Sequence, residues 1–148
     1  MVVVGGVSFP INTTFINSDI HNITCLTGVE NLPLLKSLCL KDNCINNYEH
    51  ITLLVGLEQL YLMNMNCVNV DFLSSVVNLK ILYIKNSTLT NLNGLSTLNN
   101  LKFLHIENTL VTDVSPLVLL TNLHIIKAIS TPIINFNILP SSITVYTS

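Results

Sequence analysis

The sequence predicts an α/β-type solenoid of stacked coils. Each coil gives one strand to a parallel sheet and a 3₁₀ or extended return segment to the opposite side. Three observations carry the prediction. Leu38, Leu60, Leu82, Leu104 and Ile126 stand 22 residues apart without slippage. The stretches "LKILYIKN" (79–86) and "LKFLHIEN" (101–108) repeat one skeleton, while Ile81 changes to Phe103, Tyr83 to His105 and Lys85 to Glu107. Finally, a unit of 22 residues has little room for a strand followed by a long helix.

The elements follow in chain order. "MVVVGGVSFP" is apolar but short, with no basic residue ahead of it, so it reads as an N-terminal strand or cap rather than a secretory signal. Residues 11–22 fit the repeat weakly, with Ile16 at the Leu38 position and Ser18 at the Leu40 position. Residues 1–22 are therefore taken as a cap or partial repeat. Residues 23–139 hold the regular units, and each L-x-x-L-x-L segment ends in the period-two alternation of a strand. Leu35, Leu57, Leu79, Leu101 and Leu123 keep this register, as do Leu40, Leu62, Ile84, Ile106 and Ala128. So do Ile45, Cys67, Leu89, Val111 and Ile133 in the second half of the unit, and Ile51, Leu73, Leu95, Leu117 and Leu139 after them.

In that second half, for example "TLTNLNGLSTLNN", Leu recurs about every third residue, which suits 3₁₀ turns better than an α-helix. "LPSSITVYTS" shortens the return, making 140–148 a C-terminal partial repeat in which Ile143–Tyr146 supplies the last strand. Residues 1–148 form a single domain on this reading. One coil cannot bury its own leucines; a stack buries a continuous ladder.

These units resemble leucine-rich repeats of the short, 22-residue class, which includes the internalins and the phosphatase-regulator type, and "VTDVSPL" is internalin-like. The resemblance implies a curved right-handed coil with its parallel sheet on the concave face, and a protein that binds other proteins. It also implies an Asn just after each strand. That position reads Asn43, Met65, Ser87, Thr109 and Thr131, so Ser and Thr are expected to replace part of an Asn ladder and the Met65 coil to be irregular. No disulfide-rich flanking cap is visible. That points to an intracellular, cytoplasmic setting, with a secreted or surface one as the alternative.

Composition narrows the function. Six lysines, no arginine and eight acids give a net charge of −2, without the basic excess that attracts nucleic acid or anionic membrane. No apolar stretch is long enough to span a bilayer. The sequons at Asn12, Asn22 and Asn86 are no more than twenty asparagines give by chance. Cys25, Cys39, Cys44 and Cys67 form no paired C-x-x-C set and read as free thiols. Cys67 takes an apolar core position, whereas Cys39 is expected on the open face, where a thiol can react. Four scattered histidines and no nucleophile elbow give no catalytic signal, and Cys39 with Cys44 lacks His partners for a metal. A non-enzymatic protein without cofactor is expected.

The variable positions carry the functional signal. Residues alternate across a strand, so those between the skeleton leucines point away from the core and line up in columns about 5 Å apart per strand. One column is Ser37, Gln59, Ile81, Phe103, Ile125; the next is Cys39, Tyr61, Tyr83, His105, Lys127. A third is Lys41, Met63, Lys85, Glu107, Ile129, and an edge column holds Lys36, Glu58, Lys80, Lys102, His124. All six lysines fall on or beside this face. Tyr61, Ile81, Tyr83, Phe103 and Ile125 form an apolar patch rimmed by charge, the pattern of a binding surface. The candidate site is completed by Lys85, His105, Glu107 and Lys127, with Lys80 and Lys102 as adjacent like charges. The partner expected is a protein with an acidic rim around an apolar knob. The chain itself is expected to be a monomer, or to self-associate weakly through the solenoid ends; the alternatives to an interaction module are a structural or self-associating repeat protein, or a regulatory or adaptor subunit of an enzyme complex.

Overall fold

The computed structural model describes residues 1–21, 23–41, 45 and 47–148, the side chains of residues 20 and 21 apart; Asn22, Asn43 and Cys44 lie outside the described residues. Seven strands form one sheet in which every neighbouring pair is parallel: β3 (Phe15–Asn17), β4 (Ser37–Lys41), β5 (Gln59–Met63), β6 (Ile81–Lys85), β7 (Phe103–His105), β8 (Ile125–Lys127) and β9 (Thr144–Tyr146). Strand order follows chain order, as a coil that advances by one strand per turn requires. Ile16, Leu38, Leu60, Leu82, Leu104, Ile126 and Val145 lie side by side in register. The return side is a row of short 3₁₀ turns, among them Asp71–Leu73, Asn93–Leu95 and Ser115–Leu117. This is the leucine-rich-repeat solenoid.

Burial drives the stacking. Leu38, Leu60, Leu82, Leu104 and Ile126 have no solvent exposure, nor do Leu73, Leu95 and Leu117 on the return side. Fully burying one such side chain is worth about 1.5–3 kcal/mol. Cys67 lies inside the same ladder, and burial pushes its thiol pKa up to about 11.

The N-terminal strands β1 (Val2–Val4) and β2 (Val7–Phe9) pair antiparallel around Gly5–Gly6. Both glycines have positive φ, the requirement of a two-residue hairpin turn whose twist matches its strands. Val4 and Phe9 are buried, and the Gly5 amide donates to the Thr27 carbonyl at 3.2 Å. The hairpin thus covers the apolar end of the first coil. At the other end the final step, from Ile125 to its partner Thr144, is 19 residues (144 minus 125) rather than 22.

Polar stitches between coils account for many of the asparagines. Asn64 and Asn86 directly follow β5 and β6, and Asn108 takes the same place in the coil of β7, each with φ of 52–56°. The Asn86 amide donates to Asn64 Oδ1 (2.9 Å) and that of Asn108 to Asn86 Oδ1 (3.1 Å). A second set opens the 3₁₀ turns: Asn69, Asn91 and Asp113 each accept from the backbone N–H two residues on. A third set crosses coils, with the amides of Asn78, Asn100 and Asn122 donating to the carbonyls of Val55, Val77 and Asn99. The expected loss of an Asn ladder is therefore corrected: the asparagine stands one residue earlier, where the backbone turns left-handed. At the next position Thr109 and Thr131 bond the Ile106 carbonyl, as Ser and Thr were expected to do. Met65 is buried there, and its coil keeps the Asn64 turn of its neighbours, so the expected irregularity is absent.

Two substitutions test this packing. Leu82→Asp would bury an unpaired carboxylate and should cost several kcal/mol, a large part of a total near 5–15 kcal/mol, while Tyr83→Ser should cost less, since it loses ring contacts but buries no charge. Equally mild melts for both would refute the register. A Cβ at Gly94 would lie 2.0 Å from the Val70 carbonyl oxygen of the preceding coil, whereas at Gly56 it meets nothing closer than the Lys36 ammonium at 3.9 Å. Gly94→Ala should cost at least about 1–3 kcal/mol by overpacking, and Gly56→Ala little. Denaturant titration of the pair would show it.

Candidate partner-binding face

Pairing in register places Gln59, Ile81, Phe103 and Ile125 in one row and Tyr61, Tyr83, His105 and Lys127 in the next. All of these side chains are half-buried, because each packs sideways on its neighbours. The rings stack. Tyr61 and Tyr83 have centroids 5.0 Å apart, Tyr83 and Phe103 5.2 Å, and Tyr83 and His105 4.9 Å. Such pairs are worth about 0.5–1.5 kcal/mol beyond the area they bury. The ladder continues to Lys127, whose Nζ lies 5.9 Å from the centroids of both Phe103 and Tyr146. The result is a pre-ordered aromatic ridge that has little side-chain entropy left to lose on binding.

Charge is arranged around that ridge. Glu107 accepts from Lys85 and meets His105 Nε2, both at 2.8 Å. These partners, Lys85 first, hold the Glu107 carboxyl below the usual carboxylate range. Glu58 bridges Lys36 (3.2 Å) and Lys80 (2.6 Å), and Lys41 meets Asp19 at 3.0 Å. Lys80 is therefore offset by Glu58, which it shares with Lys36, and does not stand against Lys102 as an unrelieved like charge. Among the described residues, Lys102 and Lys127 are the lysines without a carboxylate partner.

Cys39 is on this face as expected but only 8% exposed, and burial raises its pKa. It is a poor thiolate. Sequence reading missed two features: shallow hollows on either side of the ridge. One of about 380 Å³ lies over Ser37 and Cys39, which are too short to fill the space between Phe15 and Tyr61. The other, about 400 Å³, lies between Phe103 and Tyr146. Short residues in the columns were the available signal for the first. A further groove of about 490 Å³ runs over the Asn64–Asn86–Asn108 ladder, outside the sheet rows. Among the described residues there is no group of three His, Cys, Asp or Glu placed to hold a metal, and no helix long and apolar enough to cross a membrane.

The coil defines the fold: a leucine-rich-repeat solenoid. Solved structures agree. Internalin C2 from Listeria monocytogenes superposes with a TM-score of 0.66 at 21% identity, over 90% of this chain and 78% of that one. A second internalin of that organism, inlF, gives 0.59 at 22% identity over 87% of this chain, and a leucine-rich-repeat protein of Leptospira interrogans gives 0.60 at 18% over 81%. The chain spans about half the length of inlF (48%) and 39% of the Leptospira protein. No protein-family model matches the sequence, and no curated protein matches it.

The Glu107 ion pairs give a pH signature. A carboxyl with a lowered folded pKa adds stability above its ordinary, unfolded pKa and loses it as pH falls through the folded value. The stability gap between the wild type and Glu107→Gln should be full near neutral pH and close in acid. It should be small, since the group is partly exposed. Thermal melts across the acid range check this, and a gap independent of pH would contradict it.

Proposed function

We propose that this chain is a non-enzymatic interaction module that binds a protein partner through the sheet face. The fold is one typical of protein–protein interaction modules. The observation that carries the reading is the stacked ridge of Tyr61, Tyr83 and Phe103, apolar rings held on the open side of a sheet rather than in its core. Aromatic anchors that are ordered before binding are the residues that dominate interface energies. Lys102 and Lys127 at one end of the ridge favour a partner with acidic residues around an apolar knob. Lys85, His105 and Glu107 form a polar edge for its hydrogen bonds, Lys85 donating and Glu107 accepting.

Affinity capture with the folded chain as bait, and face variants as controls, identifies the partner. Phe103→Ala should weaken its binding by about 1 kcal/mol or more, the level that marks an energetic anchor. Lys102→Glu should mainly slow association, and most at low salt, because an exposed rim charge steers encounter. Unchanged affinity and association rate in both variants would place the partner elsewhere on the molecule.

A further inference from the structure

We propose that the hollow at the C-terminal end of the sheet face is an acceptor pocket for an acidic, apolar side-chain pair of the partner, with Lys127 taking the carboxylate. The inference deepens the sheet-face reading and rests on it. The hollow is lined by Phe103, Ile125, Lys127, Ile129, Tyr146 and Ser148, and holds about 400 Å³, room for one aromatic or branched aliphatic group. Phe103, Ile125, Ile129 and the Tyr146 ring make its apolar walls, Ser148 adds a polar edge, and Lys127 is the one charged side chain in the lining, its ammonium 5.9 Å from the ring centres of Phe103 and Tyr146.

Charge picks the occupant. On the N-terminal side of the ridge every lysine already has a carboxylate within reach: Lys36 and Lys80 share Glu58, and Lys41 meets Asp19. Lys85 is matched by Glu107. Beyond Glu107 this balance stops. Residues 114–148 contain no Asp or Glu, and the remaining acid, Asp113, is occupied on the return side by Ser115 and Asn135. Lys127 thus has rings for company but no counter-charge among the described residues. Rings offset only part of the cost of withdrawing an ammonium from water, and a carboxylate brought into such an apolar recess gains more than it would on open surface.

The opposite hollow, over Ser37 and Cys39, makes the contrast. It has nearly the same size but no charged residue in its lining, so nothing in it selects a carboxylate. An acidic apolar ligand should therefore distinguish two hollows of like volume. A cationic ligand of the same shape should avoid the C-terminal one.

The test uses hydrocinnamate, a phenyl group carrying one carboxylate, against phenylpropylamine, its cationic counterpart, with the isoleucine methyls of the full chain labelled for NMR. Hydrocinnamate should shift the Ile125 and Ile129 methyls saturably. Lys127→Met, which keeps the stem and loses the charge, should weaken that binding at least tenfold, and Lys36→Met should leave it unchanged. The amine should give no saturable shift at these methyls. Equal binding of both compounds, no saturation with hydrocinnamate, or full binding to Lys127→Met would each overturn the pocket. Shifts confined to Ile81 would overturn it too, while leaving the ridge as a partner surface. The sheet-face reading falls separately, on partner affinity in Phe103→Ala.

Discussion

Everything in this molecule depends on coils stacking at the spacing of a parallel sheet. Neighbouring strands lie about 4.8 Å apart, so each coil must present its apolar residues to the same points on the coil before it. A leucine fits into that ladder only if the period is held, and the period holds from Leu38 to Ile126. The same spacing imposes a second condition. Carbonyls and amides on the turns between strand and return have no sheet partner of their own, and those left dry would cost as much as the leucines contribute. Asn, Ser and Thr meet that demand by bonding from coil to coil. Hydrophobic ladder and polar stitching are two parts of one constraint, which is why both repeat together.

The sheet face inherits this order. Because the skeleton fixes which residues point outward, side chains in a row stand close enough to touch, and rings in neighbouring coils stack instead of waving in solvent. That explains why the face is half-buried without any partner. It also explains the ion pairs: Glu58 stands between Lys36 and Lys80 in the edge column, one strand from each. Charge on this surface is largely settled internally, so what remains open, at Lys102 and Lys127, is localised and directional.

Much of this was legible in the sequence, because a period of 22 residues assigns each position to core or surface without knowledge of contacts. Leu82 and Tyr83 are neighbours in the chain, yet the repeat separates their fates correctly, one wholly buried and one on the face. The pairing of Lys85 with Glu107 followed from the same columns. Other features were present but misjudged. Asn64, Asn86 and Asn108 stand in the sequence at constant spacing, but the resemblance places the ladder one residue later; only backbone geometry shows that the left-handed residue comes first. Glu58 was in the column beside Lys80, and weighing Lys80 against Lys102 alone overlooked the nearer acid. The hollows depend on how far side chains reach sideways, and that is set by rotamers the sequence does not display. Cys39 shows the same limit: its column is open, but neighbours of greater reach cover it.

The central claim is that one register carries the whole chain, leucine on leucine. Methyl–methyl nuclear Overhauser contacts measure it directly, with the leucine and isoleucine methyls labelled stereospecifically in the intact protein. Leu82 should contact Leu60 on one side and Leu104 on the other, Leu104 should contact Ile126, and Leu60 should show none to Ile126. Contacts between Leu60 and Ile126, or no contacts from Leu82 to either neighbour, would contradict the account.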